Sequence, residues 1–381
     1  MVKYIYFIIV VAFIDTFIQL PIITPYALSL GASEMLTGLI VAIYSLSNVI
    51  GNIVGGHFVD RVGRKRVLII GMILVSIVLL IYPLAQTGEQ LFIIRFLHGI
   101  AGGVLVPGAF ALIGDRSKRT GDSNSMAFAG AAIGIAAISG PALGGGLAAA
   151  GRIEYVFIFV ALLFLFSALF GVKLIPESIT HSERGKVSAA TFTPLLKNNK
   201  LLQACLIAFS LMASNGTLAF ALPILIEGMR FTSTATGLLL SLYGVTALII
   251  FVTSLNRVYK RFLPRSLSIA GLITIASSML LLSLTTNIVL AIVAMVVYGI
   301  GFAFIFPSMN QMVANATDES NRGKAYGIFY AFFSVGVITG SSTSGFISQM
   351  FGLPFIFSIL LMIVAVFALQ IINNKLHDTD I

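Results

Sequence analysis

Gly56-His57-Phe58-Val59-Asp60-Arg61-Val62-Gly63-Arg64-Lys65-Arg66 places five charges in a short turn between two long apolar segments. Gly56 is small enough to let helices approach, and Gly63 allows the backbone a φ above zero. Asp60 can accept hydrogen bonds from a neighbouring helix end or from an arginine. Arg61, Arg64, Lys65 and Arg66 belong in a headgroup region. A loop that only fixed topology would need the basic residues, but not the spacing of Gly56, Asp60 and Gly63.

The composition on either side of this turn requires lipid. Of 381 residues, 58% are hydrophobic and only 10% charged, whereas a soluble surface draws on about 25% charged residues. Twelve apolar runs have the roughly 20 residues a helix needs to cross a hydrocarbon core: 4–27, 35–58, 67–86, 91–113, 124–150, 154–175, 201–227, 234–256, 266–285, 288–313, 324–349 and 354–373. The first is too long for a signal-peptide core and precedes further spans, so it is expected to be retained. The lone Cys205 excludes an intramolecular disulfide framework, and four scattered histidines suggest no metal site.

Charge then orients the chain. With the N-terminus in the cytoplasm, 20 of the 23 Lys and Arg fall on that side, Arg152 and Arg230 fall outside, and Arg95 lies within a span. The positive-inside rule therefore puts both ends in the cytoplasm. The net charge of +9 is thereby explained without nucleic acid.

Residues 176–200, the longest hydrophilic stretch, divide six spans from six, giving an N-terminal bundle at 1–175, a cytoplasmic linker at 176–200 and a C-terminal bundle at 201–381. The halves echo each other. Gly99, Pro107, Gly140 and Gly145 recur as Gly299, Pro307, Gly340 and Gly345 at an offset of 200, and Thr37-Gly38 and Tyr44 recur as Thr236-Gly237 and Tyr243 at 199. The charged turn does not recur: Asn256-Arg257-Val258-Tyr259-Lys260-Arg261 stands in its place, without the acidic residue or the glycine.

The run 56–66 resembles the GxxxDRxGRKx loop between the second and third helices of the major facilitator superfamily of secondary transporters. That resemblance implies an all-α membrane fold of twelve transmembrane helices in two parallel six-helix repeats, with a substrate site near the midplane. In the fifth span, Gly140-Pro141-Ala142-Leu143-Gly144-Gly145-Gly146 resembles the GPxxGG core that marks proton-coupled exporters in this superfamily, with Ala136 where a glycine is usual. Pro141 removes a helix hydrogen bond and bends the helix, and the small residues let another backbone come close. Glycine-rich helix packing alone is the competing explanation. Asp15, Pro21 and Pro25-Tyr26-Ala27-Leu28-Ser29-Leu30-Gly31-Ala32-Ser33, with Tyr44-Ser45-Leu46-Ser47-Asn48, are similar to the opening of twelve-helix drug:proton antiporters and tetracycline exporters, although Pro21 and Pro25 lie four apart rather than three.

Asp15 is the one carboxylate deep in a span, roughly 17 Å from the cytoplasmic edge of a core about 30 Å thick. An ionised carboxylate there is costly unless compensated, which makes Asp15 the natural proton carrier; a permanently paired Asp that only anchors the helix is the alternative. The expected partner is Arg95, in Arg95-Phe96-Leu97-His98-Gly99, similar to an RxxQG pattern with His98 in place of Gln. His98 joins the candidate proton relay or serves as a packing residue. Gln19, Asn48, Asn52, Asn215, Asn310 and Gln311 are the candidate substrate contacts, because polar side chains in spans are costly; hydrogen bonds between helices explain them equally well.

The sequence thus reads as a transporter rather than an enzyme, a monomer in the inner or plasma membrane, without cofactor or ATP-binding loop. Its expected partners are a small-molecule substrate, protons and membrane lipids, with no nucleic acid. Proton-driven export of drugs or other amphiphiles by alternating access is the leading expectation. The rivals are a sugar or metabolite symporter or uniporter, and a lipid-translocating or sensor protein on the same fold.

Overall fold

In a hydrocarbon core only the chain itself can satisfy backbone N–H and C=O groups, so a span must close its hydrogen bonds internally. The computed structural model describes residues 2–120, 125–175, 193–318 and 321–379, with the side chains of 2–3, 60, 114–120, 125–127, 193, 322–323 and 373–379 outside that description. Among the described residues every regular element is helical: α1 (Val2–Ile18), α2 (Ile23–Ser29), α3 (Glu34–Val62), α4 (Arg64–Ile81), α5 (Gly88–Thr120), α6 (Ser125–Ala150), α7 (Glu154–Leu174), α8 (Thr193–Leu196), α9 (Asn199–Gly228), α10 (Ser233–Val252), α11 (Val258–Arg261), α12 (Pro264–Leu284), α13 (Ile288–Asn315), α14 (Arg322–Phe351) and α15 (Ile356–Thr379). Among the described residues ten helices are long and apolar enough to cross a membrane, α1 with α2 makes an eleventh if the bent pair is one span, and Ile356–Ile372 is a shorter apolar helix. The twelve-helix reading of the sequence agrees with this.

Two expectations need correcting. The run 4–27 is two helices meeting at 47° rather than one. Pro21 sits in the break, has no N–H to donate and disfavours a helical Leu20; the Ile22 and Ile23 amides bridge the gap by donating to the Gln19 carbonyl. The charged turn is also shorter than expected. α3 continues to Val62 and α4 begins at Arg64, so only Gly63, with φ 108°, stands between them, and the charges ride on helix ends. Position 256–261, the counterpart in the second half, is instead a 3-10 turn (Ser254–Arg257) capped by the Thr253 hydroxyl and followed by the single turn of α11.

The chain forms two compact units, Met1–Glu183 with Leu222–Ser241, and Arg184–Ala221 with Leu242–Ile381. In the first, α3 packs on α5, α1 on α6, and α4 on both α5 and α7. In the second, α12 packs on α13 and α15, while α9 meets α14 where Gly216 faces the Val337 carbonyl. Without a hydrophobic drive between helices in lipid, such contacts depend on small residues that admit a neighbouring backbone. Gly99 is a case in point. A methyl group there would lie 2.5 Å from the Tyr44 carbonyl oxygen, and one on Gly299, its counterpart at the offset of 200, would lie 2.6 Å from that of Tyr243.

Gly99→Ala should therefore cost about 1–3 kcal/mol through overpacking, and Gly299→Ala a similar amount. Gly130→Ala, which meets nothing within 4 Å, should be neutral or stabilising by about 0.5–1 kcal/mol. Thermal unfolding in detergent reads all three.

Candidate functional site

A buried polar chain in the first unit links α1, α5 and the 3-10 turn Tyr82–Leu84 that follows α4. Asp15 (1% exposed), Gln19 (2%), Arg95 (6%) and His98 (0%) are all withdrawn from the surface, so their hydrogen bonds must come from one another. Gln19, four residues beyond Asp15 in the turn that follows α1, donates from Nε2 to Asp15 Oδ1 at 2.8 Å. Its other amide atom, Oε1, accepts from Arg95 Nη1 at 2.7 Å. Asp15 Oδ2 lies 3.0 Å from His98 Nε2, and His98 Nδ1 lies 2.9 Å from the Tyr82 hydroxyl.

This differs from the expected direct pairing of Asp15 with Arg95. The carboxylate's immediate partner is His98, and Gln19 stands between it and the guanidinium. Arg95 is held by α3 instead: its Nε donates to the Ile40 carbonyl at 3.3 Å, and its guanidinium carbon lies 4.5 Å from the Tyr44 ring centroid, a cation–π contact strengthened by desolvation. Aromatic rings complete the enclosure. Tyr44 and Tyr82 each meet the His98 ring edge-to-face, Tyr82 stacks on Phe157 of α7, and the Tyr44 hydroxyl lies 3.3 Å from Thr16 Oγ1. Tyr82, absent from the sequence candidates, is fixed further by its carbonyl, which accepts from the Tyr26 hydroxyl at 2.7 Å.

Chemically, the Tyr82 hydroxyl can face His98 Nδ1 as donor or as acceptor, so this contact is compatible with either form of the imidazole. With neutral His98, Nε2–H donates to the Asp15 carboxylate and Nδ1 accepts from the Tyr82 O–H. With one more proton, Nδ1–H donates to the same Tyr82 oxygen, since a hydroxyl serves in either role.

The second unit builds the same scaffold without the charges. At the offsets of 199 and 200, Ser214 stands for Asp15, Tyr298 for His98, Asn215 for Thr16 and Tyr243 for Tyr44. Ser214 Oγ lies 2.9 Å from the Tyr298 hydroxyl, Asn215 Nδ2 donates to the Tyr243 hydroxyl at 3.4 Å, and the Tyr243 and Tyr298 rings meet edge-to-face at 5.2 Å, the same separation as Tyr44 and His98. Leu218 and Met295, both fully buried, replace Gln19 and Arg95.

The other candidates are dispersed. Asn52 donates to Asn48 Oδ1 at 2.9 Å and Asn48 to the Gly99 carbonyl at 3.4 Å, Asn310 donates to Phe306 one turn back, and Gln311 is exposed. At the charged turn, Arg64 Nη1 donates to the Ala111 carbonyl and Lys65 Nζ to that of Val172 near the C-terminus of α7, which offsets the placing of cations at the start of α4. Arg61 is exposed. Asp60 lies in the last turn of α3, with its side chain outside the described residues. Gly56 has nothing within 4 Å of a would-be side chain; the close approach expected of it falls at Gly55, against Val104, and at Gly51, against Ile100. In α6, Gly140 faces Phe17 and Ile18, Gly144 faces the Ile18 carbonyl, and Gly145 faces the Ser233 carbonyl at the start of α10, while Gly237 of α10 faces the Pro141 carbonyl. The GPxxGG segment thus clamps the helix that carries Asp15.

The sequence profile of the Major Facilitator Superfamily matches residues 5–319 and 204–375. The chain belongs to that superfamily. It is a membrane transporter and not an enzyme. Among relatives, it is 24% identical to Multidrug resistance protein 2 of Bacillus subtilis over 97% of this chain and 94% of that one. It is also 24% identical to the Quinolone resistance protein NorA of Staphylococcus aureus, over 89% and 88%. The fold matches the crystal structure of the nucleoside transporter NupG with a TM-score of 0.78 at 16% identity, covering 97% of this chain and 98% of that one.

Gln19 should be structurally decisive in this facilitator. Gln19→Leu leaves Arg95 and Asp15 each short of a buried partner and should cost about 3–5 kcal/mol. The double variant Gln19→Leu with Arg95→Met, which copies the apolar pair Leu218 and Met295, should recover part of that loss. Thermal unfolding of the purified variants gives both values.

Proposed function

We propose that this facilitator exports drugs or other small amphiphilic molecules in exchange for protons, with the proton carried by the buried Asp15–His98 pair. The observation that carries this reading is the pair itself: a carboxylate and an imidazole at 3.0 Å, fully enclosed, and flanked by a permanent cation reached through Gln19. With Asp15 ionised and His98 neutral, the site is electrically balanced by Arg95. One added proton leaves an uncompensated positive charge in a low-dielectric setting, which disfavours a bound cation nearby. Proton and cationic amphiphile then exclude each other, as exchange requires. The drug-resistance relatives support the export direction, as does the GPxxGG segment packed against α1.

In this reading the bundles at 1–175 and 201–381 give the substrate alternating access to the two sides of the membrane, the linker at 176–200 joins them on the cytoplasmic side, and Asp60 with Arg61, Gly63 and Arg64 holds the cytoplasmic gate. Both termini are cytoplasmic and the working unit is a monomer. The absence of a carboxylate, imidazole or guanidinium from the Ser214–Tyr298 scaffold leaves coupling to the first bundle and frees the second to bind substrate, with Asn215 and Asn310 as its polar contacts.

The test is transport in proteoliposomes with an imposed proton gradient. Apolar cationic dyes should move against the proton flow, whereas gradient-driven accumulation of sugars or nucleosides would replace export with uptake. Asp15→Asn should abolish gradient-driven flux while exchange of substrate down its own gradient persists, because the amide imitates the protonated acid. Gradient-driven flux at the wild-type rate in that variant would place coupling elsewhere. Pro141→Ala, which adds a backbone donor to α6 beneath the contact with α10, should lower coupled flux or raise proton leak, both read by a pH-sensitive dye inside the liposomes.

A further inference from the structure

An open groove of about 270 Å³ runs between α12 and α15 in the second unit, lined by Ile273, Ala276 and Leu280 on one side and Ile359, Ile363 and Phe367 on the other. Its lining is apolar throughout; the hydroxyl of Ser277 is turned back onto the Ile273 carbonyl at 3.0 Å. Both helices are membrane-crossing or apolar over these residues, so whatever fills the groove comes from the bilayer. One end of it is charged. Arg265 stands in the first turn of α12, eight residues before Ile273 and so about 12 Å along the axis, and donates from Nη2 to the Leu369 carbonyl at 3.0 Å, two residues beyond Phe367. That bond ties the guanidinium to α15 just beyond the groove's lining. Its Nε–H is buried without any partner, an unfavourable position for a charged group's donor.

Arg257, Lys260 and Arg261 lie just before it, and no Asp or Glu occurs between Glu227 and Asp318. Among the described residues none of these four cations pairs with a carboxylate. A guanidinium fork beside further cations at the end of a membrane helix suits a phosphate monoanion, and the apolar channel leading away from it suits a hydrocarbon chain. We propose that this groove is a binding site for an anionic glycerophospholipid, its phosphate on Arg265 and one acyl chain between α12 and α15. A small rotation that turns the fork toward the phosphate also gives the buried Nε–H an acceptor.

The test is native mass spectrometry of the full-length protein in mild detergent, with phosphatidylglycerol or phosphatidylcholine carrying identical acyl chains. Wild type should retain one phosphatidylglycerol about tenfold more strongly than phosphatidylcholine: both present a phosphate to Arg265, but the trimethylammonium of phosphatidylcholine is repelled by the neighbouring Arg257, Lys260 and Arg261. Arg265→Gln should lower retention of both lipids and narrow the difference between them. Ala276→Phe, which fills the groove, should lower retention of both; if that variant is not monodisperse, Ile363→Trp fills the same space from α15. Glycerol phosphate, which has no acyl chain, should not displace the lipid. Wild-type retention and selectivity in Arg265→Gln and in the groove-filling variant, or displacement by glycerol phosphate alone, would overturn the proposal.

Discussion

A carboxylate in the middle of a bilayer has to be compensated inside the protein, and the way Asp15 is compensated organises the first unit. Its two oxygens are held by Gln19, just past the end of the same helix, and His98 of α5. Through Gln19 and His98 the demand passes to Arg95, to the Ile40 carbonyl and Tyr44 ring of α3, and to Tyr82 after α4. Each added member is itself a buried polar group with needs of its own, so the network ends only where a backbone carbonyl or an aromatic face closes it. α1, α3, α4 and α5 are thereby tied at one level, and α7 joins through Phe157 stacked on Tyr82.

The helices had also to come close enough for these short side chains to meet, and glycine provides that. Gly99 lies against the Tyr44 backbone one residue after His98, and Gly144 lies against Ile18 one turn after Asp15. The clamp of α6 on α1 and the polar chain are therefore parts of one device: the first sets the distance at which the second operates. In the second unit close approaches recur at Gly299 and at Gly340, the counterpart of Gly140, while Ser344 stands in place of Gly144 and Ser214 and Tyr298 occupy the level of the charges. Much of the glycine spacing is thus shared by both halves, and the carboxylate, imidazole and guanidinium at this level are found in one of them.

Much of this was legible in the sequence because bilayer thickness leaves helices little choice of length, and because charged residues are too costly in spans to be there by accident. The count of twelve spans and the selection of Asp15, Arg95 and His98 as candidates follow from those two constraints, whereas the superfamily was legible only through the resemblance carried by the run 56–66. What the sequence hid was contact order within the site. Gln19 read equally as a substrate-facing amide and as an internal hydrogen-bonding group, since a lone Gln in an apolar run carries no sign that the side chain four residues back is its acceptor. Tyr82 carried no signal beyond a tyrosine ahead of Pro83. Arg95 and Asp15 looked like a natural pair because charge is the only long-range term visible in a string of letters. The bend after Ile18 was hinted at by Pro21, but a run of apolar residues reads the same whether its helix is straight or broken.

The interposed amide has a mechanistic consequence that a direct ion pair would not have. A guanidinium bound to Asp15 in a low-dielectric interior would be attracted so strongly that neutralising the carboxylate would leave the arginine stranded, at a cost of several kcal/mol. Such a contact resists cycling. With Gln19 between them, Arg95 keeps its hydrogen bonds to Gln19 Oε1 and the Ile40 carbonyl whichever proton state Asp15 and His98 adopt. On the proposed coupling, Arg95 would keep one fixed set of partners while the hydrogen bonds that change would be those of His98 and the adaptable Tyr82 hydroxyl, so that the bundle proposed to carry the proton could also hold its shape.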